Sequence, residues 1–222
     1  MQSECRMMTG EPTELDAALV HRCRSHDAAA FNAIVTRHKA RVYRFVCRMV
    51  GPGADADDLA QETFVKAYTS LPGFRGSASL TTWLLRIAGN LCIDYRRRRK
   101  HAPARAVSLS SALFADAERD GAPEPPDPHG GPEAEALRIE LQGQVHAAID
   151  ALPNKLRMVV LLYDIEGLTY DEISHVVGCP MGTVKSRLFS ARAALRTALG
   201  PYMGDLALAT HTEAGRRGGG SQ

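Results

Sequence analysis

The chain lacks most of the features that would tie it to an extracellular, membrane-bound or metal-centred role. Its five cysteines, Cys5, Cys23, Cys47, Cys92 and Cys179, are scattered through 222 residues without a CxxC pair. An odd, unpatterned set suits a reducing compartment and argues against a disulfide frame or a structural zinc. The eight histidines are equally dispersed, with no pair at metal-ligand spacing. Long apolar runs are missing too: the stretch 159–163 is far shorter than the ~20 residues of a membrane-spanning helix. No segment has the make-up of a secretory signal. Aromatic residues form only 6% of the chain, and nowhere do apolar and polar residues alternate as in a half-buried strand. A Gly-rich phosphate loop, a nucleophile elbow and a paired Cys/His are all absent. These absences predict a soluble, cytoplasmic, all-α protein that is not an enzyme, with no metal, no cofactor and no membrane insertion.

What the chain does have is charge sorted into blocks. The formal net charge is only +2. Yet Arg86, Arg96, Arg97, Arg98, Arg99, Lys100 and Arg105 stand against one acid, Asp94. Directly afterwards Asp116, Glu118, Asp120, Glu124, Asp127, Glu133 and Glu135 oppose only Arg119. Such a reversal reads as a binding face followed by a solvated connector. Pro123, Pro125, Pro126, Pro128 and Pro132 lie in that acidic stretch, which cannot bury enough apolar surface to order itself.

Helical spacing organises the rest into two small domains joined by a flexible linker. Phe31, Ile34, Val35, Val42, Phe45, Val46 and Met49 form a stripe along 28–50, ended by Gly51-Pro52-Gly53. Leu59, Phe64, Val65 and Tyr68 mark a second helix over 55–70, broken at Leu71-Pro72-Gly73. A third over 80–99 is expected to bury Leu80, Trp83, Leu84, Ile87 and Leu91, and a short helix over 14–24 precedes them all. Beyond the linker, Leu137, Leu141, Val145 and Ile149 resume the pattern. The expected boundaries are 13–100, a linker at 101–132, a second domain at 133–200 and a disordered tail at 201–222.

The strongest single signal is a helix-turn-helix in the second domain. Thr169-Tyr170-Asp171-Glu172 has the spacing of a capping box, and Gly178 sits where a left-handed C-cap would end the helix. After Cys179-Pro180-Met181-Gly182 a second helix is expected to bury Val184, Leu188, Ala191 and Leu195. Lys185, Ser186, Arg187, Ser190 and Arg192 are left outside, a set suited to the major groove. The plain alternative is a helical hairpin with a solvated basic face.

Two further constellations carry chemistry. On the 80–99 helix, Arg86, Asn90 and Arg97 share one face, near Phe74, Trp83 and Tyr95. Cations beside aromatics can track phosphates and stack unpaired bases. The polar loop 74–79 could close over a flipped base. Asp55, Asp57, Asp58 and Glu62 crowd the start of the second helix. There they have three readings: an answer to the helix dipole, metal ligands of a nuclease, or a docking face for a basic protein. Two rivals therefore stand at this point: a free-standing helix-turn-helix regulator and a metal-dependent nuclease.

The order of motifs resembles one family. Asp57-Asp58-Leu59-Ala60-Gln61-Glu62-Thr63-Phe64, Phe74-Arg75-Gly76 and Thr82-Trp83-Leu84-Leu85-Arg86 resemble the second conserved region of extracytoplasmic-function sigma factors. These are the two-domain, group IV members of the sigma-70 family. Ala151-Leu152-Pro153, Gly167-Leu168-Thr169-Tyr170-Asp171-Glu172 and Gly182-Thr183-Val184-Lys185-Ser186-Arg187 resemble the fourth region. The likeness covers about 15–100 and 135–199, and departs at Ser190, where many relatives carry arginine. It implies a promoter-specificity subunit of bacterial RNA polymerase, and an anti-sigma factor that restrains it until a stress signal arrives. Asp58, Leu59, Gln61, Glu62 and Phe64 would dock on the β′ clamp, with the β flap as a further polymerase contact. Phe74, Arg75, Ser77, Arg86, Asn90, Asp94, Arg97 and Arg98 would meet the −10 element of promoter DNA. Thr183, Lys185, Ser186, Arg187, Phe189 and Arg192 would meet the −35 element.

Overall fold

In a computed structural model, residues 14–25, 27–101 and 132–216 are described, with side chains over 15–25, 27–100 and 139–202. All regular structure among the described residues is helical. The expected connector at 101–132 lies, except for its two end residues, outside them, as do 1–13 and 217–222.

The N-terminal unit is a bundle of α1 (Glu14–Arg24), α2 (Ala28–Val50), α3 (Ala54–Ser70) and α4 (Leu80–His101). Asp27 caps α2 by accepting the Ala30 N–H at 3.1 Å, and its carboxylate also takes the Arg22 guanidinium at 2.7 Å. Gly51, at φ 91°, ends α2 in a conformation that a side chain would oppose. Most of the α2 stripe is buried as its spacing predicts, with Ile34, Val42, Phe45, Val46 and Met49 all at 2% exposure or less, while Phe31 and Val35 are only half-buried. Against it α3 presents Leu59 together with Ala56, Ala60, Thr63 and Ala67, the last four being small side chains that let the backbones approach. Val65 and Tyr68, expected in the α3 stripe, are instead 63% and 54% exposed.

The C-terminal unit holds α5 (Pro132–Ala151), α6 (Asn154–Val160), a π turn at Leu161–Ile165, α7 (Tyr170–Val177) and α8 (Met181–Arg216). In the expected α5 stripe only Ile149 is fully buried, Leu141 and Val145 are half-buried, and the side chain of Leu137 is not described. Where the sequence predicts a disordered tail from residue 201, α8 continues as helix through Pro201 to Arg216. One interior proline disfavours helix by about 3 kcal/mol relative to alanine. The run Asp205-Leu206-Ala207-Leu208-Ala209, rich in strong helix formers, carries the helix past it.

The two units pack against each other through α4 and α7, with further contacts from α6 to α2 and α4. This explains a second departure. Leu84, Leu85, Ala88, Leu91 and Cys92 are all buried on α4, wider than one stripe, because α4 is covered on two sides. Trp83 and Ile87, expected in the core, are half-exposed at its margin.

Candidate nucleic-acid interface

The start of α4 is built to hold the 74–79 loop. Ser79 Oγ accepts the Thr82 N–H at 3.0 Å and lies 2.7 Å from the Thr82 hydroxyl, which caps the helix. The Arg24 guanidinium, from α1, donates to the Phe74 carbonyl across the bundle. The Phe74 ring packs on Trp83 at 5.0 Å between centroids, tilted by 45°. Phe74, Arg75, Ser77, Trp83 and Arg86 line one cavity of about 200 Å³, with His175 and Val176 of α7 on its far wall. Arg86 and Asn90 are exposed one turn apart, and Asp94 follows, half-buried and paired with Arg97 at 3.2 Å.

The arginine run does not form a single face, because a helix turns its side chains by 100° per residue. Arg97 and Arg98 are exposed at the end of α4. Arg96 turns inward and donates to the Met49 carbonyl at 2.7 Å. Arg99 donates to the Tyr95 hydroxyl at 3.2 Å, which in turn donates to Asp55 at 2.6 Å. Arg96 thus ties α4 to α2, and Arg99 supports the Tyr95 link from α4 to α3.

On α3, Asp58, Gln61 and Glu62 are exposed together, and Phe64 is half-buried beside them. Leu59 does not join that surface: it is 5% exposed and belongs to the bundle core. Exposed Val65 and Tyr68 extend the face instead, and Tyr68 is braced edge-on by Phe31 at 4.9 Å. Apolar periodicity cannot tell these two from core residues; their charged neighbours on the same face were the available signal. Among the described residues no three His, Cys, Asp or Glu side chains gather as a metal site. Burial pushes the Cys92 thiol up to about 12, far from a reactive thiolate.

The helix-turn-helix has the predicted caps. Thr169 Oγ1 accepts the Glu172 N–H at 3.3 Å, and Glu172 Oε2 accepts the Thr169 N–H at 2.9 Å. Gly178 closes α7 in the left-handed region, at φ 66° and ψ 41°. Lys185 and Ser186 are exposed on the N-terminal part of α8, with Phe189 at 78% exposure. Thr183 is half-buried and accepts, through its carbonyl, the Ser186 hydroxyl at 3.0 Å. Arg187 is half-buried and reaches Cys179 Sγ at 3.5 Å. Arg192 is held from within: it pairs with Asp164 and lies 5.2 Å from the Tyr163 ring. Tyr163 stacks on Tyr170 at 4.9 Å, and Lys185 sits 5.7 Å over Tyr170. This cation–aromatic ladder, which fixes the spacing of two exposed cations, was invisible in sequence because its rings come from separate elements.

Comparison with known proteins places these parts in order. The Sigma-70 region 2 family pattern matches residues 34–102, and the Sigma-70 region 4 pattern matches 142–195. The RNA polymerase sigma-H factor of Pseudomonas aeruginosa is 38% identical over 191 residues, covering 86% of this chain and 96% of its own. The chain belongs to the extracytoplasmic-function group of the sigma-70 family. The ECF RNA polymerase sigma-E factor of Escherichia coli K12 is likewise 38% identical, over 85% of this chain and 96% of that protein. Among solved structures, CnrH in complex with the cytosolic domain of CnrY matches with a TM-score of 0.59 and 26% identity, over 84% of this chain and 98% of that one.

Sigma factors are transcription initiation factors and not enzymes, and the rival reading as a nuclease falls with that assignment. In this sigma factor the region 2 match spans α2 to α4 with the loop between the last two. The region 4 match runs from the second half of α5 through the helix-turn-helix. The amino-terminal α1, which supplies Arg24 to the loop, precedes the matched segment. Among the described residues no helix is long and apolar enough to cross a membrane.

Proposed function

We propose that this sigma factor docks on core RNA polymerase through the α3 face and reads promoters with two separate surfaces. Asp58, Gln61, Glu62 and Phe64 form the centre of the docking face, against the β′ clamp, with Val65 and Tyr68 at its edge and Leu59 supporting it from below. Arg86, Asn90 and Asp94, with Phe74, Arg75 and Ser77, take the −10 element, where Trp83 and Phe74 offer stacking planes and Arg97 and Arg98 meet phosphates. Thr183, Lys185, Ser186, Arg187, Phe189 and Arg192 take the −35 duplex, placed by the helix-turn-helix in the major groove. The C-terminal unit also reaches the β flap. Control by an anti-sigma factor fits the capture of CnrH with the cytosolic domain of CnrY, and a cytoplasmic, stress-induced role fits the sigma-E relatives.

The observation that carries this reading is the coexistence of the acidic–apolar α3 face with the aromatic, cationic cavity at the head of α4. A duplex-only regulator has no use for either. Purified core polymerase should be captured by the wild-type chain and lost on changing Asp58 and Glu62 to Lys. Capture by both would move the docking face elsewhere. Absence of capture by either folded protein would favour the free-standing helix-turn-helix regulator.

A further inference from the structure

The exposed side of α8 carries one short stripe. Lys185, Phe189 and Arg192 stand at i, i+4 and i+7, so they share a face along about 10 Å of helix axis. Val184, Leu188 and Ala191 are buried on the opposite side. Phe189, 78% exposed, stands between the two cations. An apolar ring so placed on a helix that enters the major groove can meet a thymine methyl.

The cations at the two ends are not equivalent. Lys185 rests over the Tyr170 ring at 5.7 Å and has no carboxylate partner among the described residues. Arg192 is gripped on two sides. Its Nε donates to Asp164 Oδ2 at 3.4 Å and its Nη2 to Asp164 Oδ1, a side-on pairing that uses one edge of the guanidinium. Its guanidinium carbon also lies 5.2 Å from the centre of the Tyr163 ring. That ring is itself fixed, stacked on Tyr170 at 4.9 Å with 10° between the planes. Asp164 and Tyr163 both come from the π turn, outside the two helices of the helix-turn-helix.

Charge decides what such an arginine can take. A guanidinium has five N–H donors in a planar fork. Asp164 occupies the Nε–Nη2 edge, which leaves the Nη1 and outer Nη2 hydrogens along the free end. Two parallel donors there fit a bidentate acceptor, either phosphate oxygens or the O6 and N7 of guanine. The Asp164 carboxylate offsets the cation's charge and would repel an incoming phosphate. The uncharged guanine edge meets no such penalty. An arginine already held also loses less side-chain freedom on binding.

We infer that Asp164 and Tyr163 are positioning residues of −35 recognition, which hold Arg192 as the reader of one guanine and keep it from acting as a phosphate clamp. The inference rests on the reading above that α8 enters the −35 duplex. Lys185, with no acid beside it, keeps its full charge for phosphate.

The test uses holoenzyme assembled from core polymerase and the full-length chain. A random-sequence duplex library is selected on wild type, Asp164→Asn, Arg192→Gln, Tyr163→Phe and Tyr163→Leu forms, and the recovered −35 segments are compared. Wild type should require guanine at one position. Asp164→Asn and Arg192→Gln should relax that position alone, cutting the preference for guanine by about fivefold or more. Tyr163→Phe keeps the ring and should keep the preference, whereas Tyr163→Leu should weaken it. The Asp164 and Arg192 side chains are 35% and 47% exposed, so their pair adds little to folding. Relaxation of every position together, with a lower melting temperature, would reveal a merely structural role and overturn the inference.

Salt titration on the selected duplex supplies a second readout. Lys185→Gln should lower the slope of log K against log salt by about one unit, while Arg192→Gln leaves it nearly unchanged. An Asp164→Asn form that binds all sequences more tightly, with a slope steeper by about one unit, would make Arg192 a restrained phosphate cation and overturn the guanine assignment. If wild type enriches no upstream motif, the −35 reading itself fails and the inference with it. An upstream motif identical in wild type and Asp164→Asn sinks the inference alone.

Discussion

The two halves of this sigma factor reach stability by different routes. The N-terminal bundle closes a core of its own, in which Phe45, Val46, Met49 and Leu84 are all fully buried. Among the described residues the C-terminal unit has a private cluster of Leu152, Val160, Leu188 and Ala191. Its other buried residues, among them Met158, Leu161, Leu162, Ile173 and Val176, continue the core of the N-terminal unit. A small unit buries a lower fraction of its surface and gains most from leaning on a neighbour. The C-terminal half is therefore the half that leans.

The sharpest way to break this comparison is to cut the chain. Expressed alone, 14–101 should unfold cooperatively near the full-length midpoint, whereas 132–216 should lose much of its stability. Met158 and Val176 face the N-terminal unit, and returning each to water costs about 1.5–3 kcal/mol. Equal stability of the 132–216 fragment and the intact chain in urea would mean that the shared core contributes nothing.

A smaller effect is expected from Thr169→Ala, which removes the capping hydroxyl of α7 and costs about 1 kcal/mol. Because Glu172 also bonds Thr82, the loss should be larger in the intact chain than in 132–216. Equal losses in calorimetry would show that the capping box and the interdomain bond are independent.

The smallest effect belongs to the N-terminal unit alone. His38 is buried against Asp16 of α1 at 3.4 Å, and burial holds its pKa below the usual value despite that carboxylate. The unfolded chain therefore protonates first, with a histidine pKa of about 6.5. Stability is whole above that pH and is lost as pH falls through the lower folded pKa. Urea midpoints measured from about pH 7.5 down to about 5 should decline in wild type and less steeply in His38→Gln; parallel declines would remove His38 as the cause.

Much of the fold was legible because its signals are local. The α1 span, the α2 stripe, the break at Leu71-Pro72-Gly73, the Thr169–Glu172 capping box and the Gly178 cap all follow from spacing and backbone preference within a few residues. The misreadings cluster where a distant neighbour decides. Trp83, expected in the core, lies at its margin, while Leu85, outside the expected stripe, is buried where α7 covers α4 from the second side. Leu59 is buried and Val65 exposed because Leu59 shares the side of α3 that carries Ala56, Ala60, Thr63 and Ala67 into the bundle, whereas Val65 lies on the opposite side. Arg96 leaves the basic face because the Met49 carbonyl stands within its reach.

By itself, then, the sequence determined the helices, their caps, the helix-turn-helix and the family, since each depends on short-range periodicity or on motifs that read in order. Only the tertiary structure decided which cations stay exposed and which brace the bundle. It also decided that Glu166 and Arg157, unremarked in the sequence, and Glu172, legible there only as half of a capping box, join the two halves. Those contacts link residues more than 85 positions apart, through side chains whose partners no local pattern specifies.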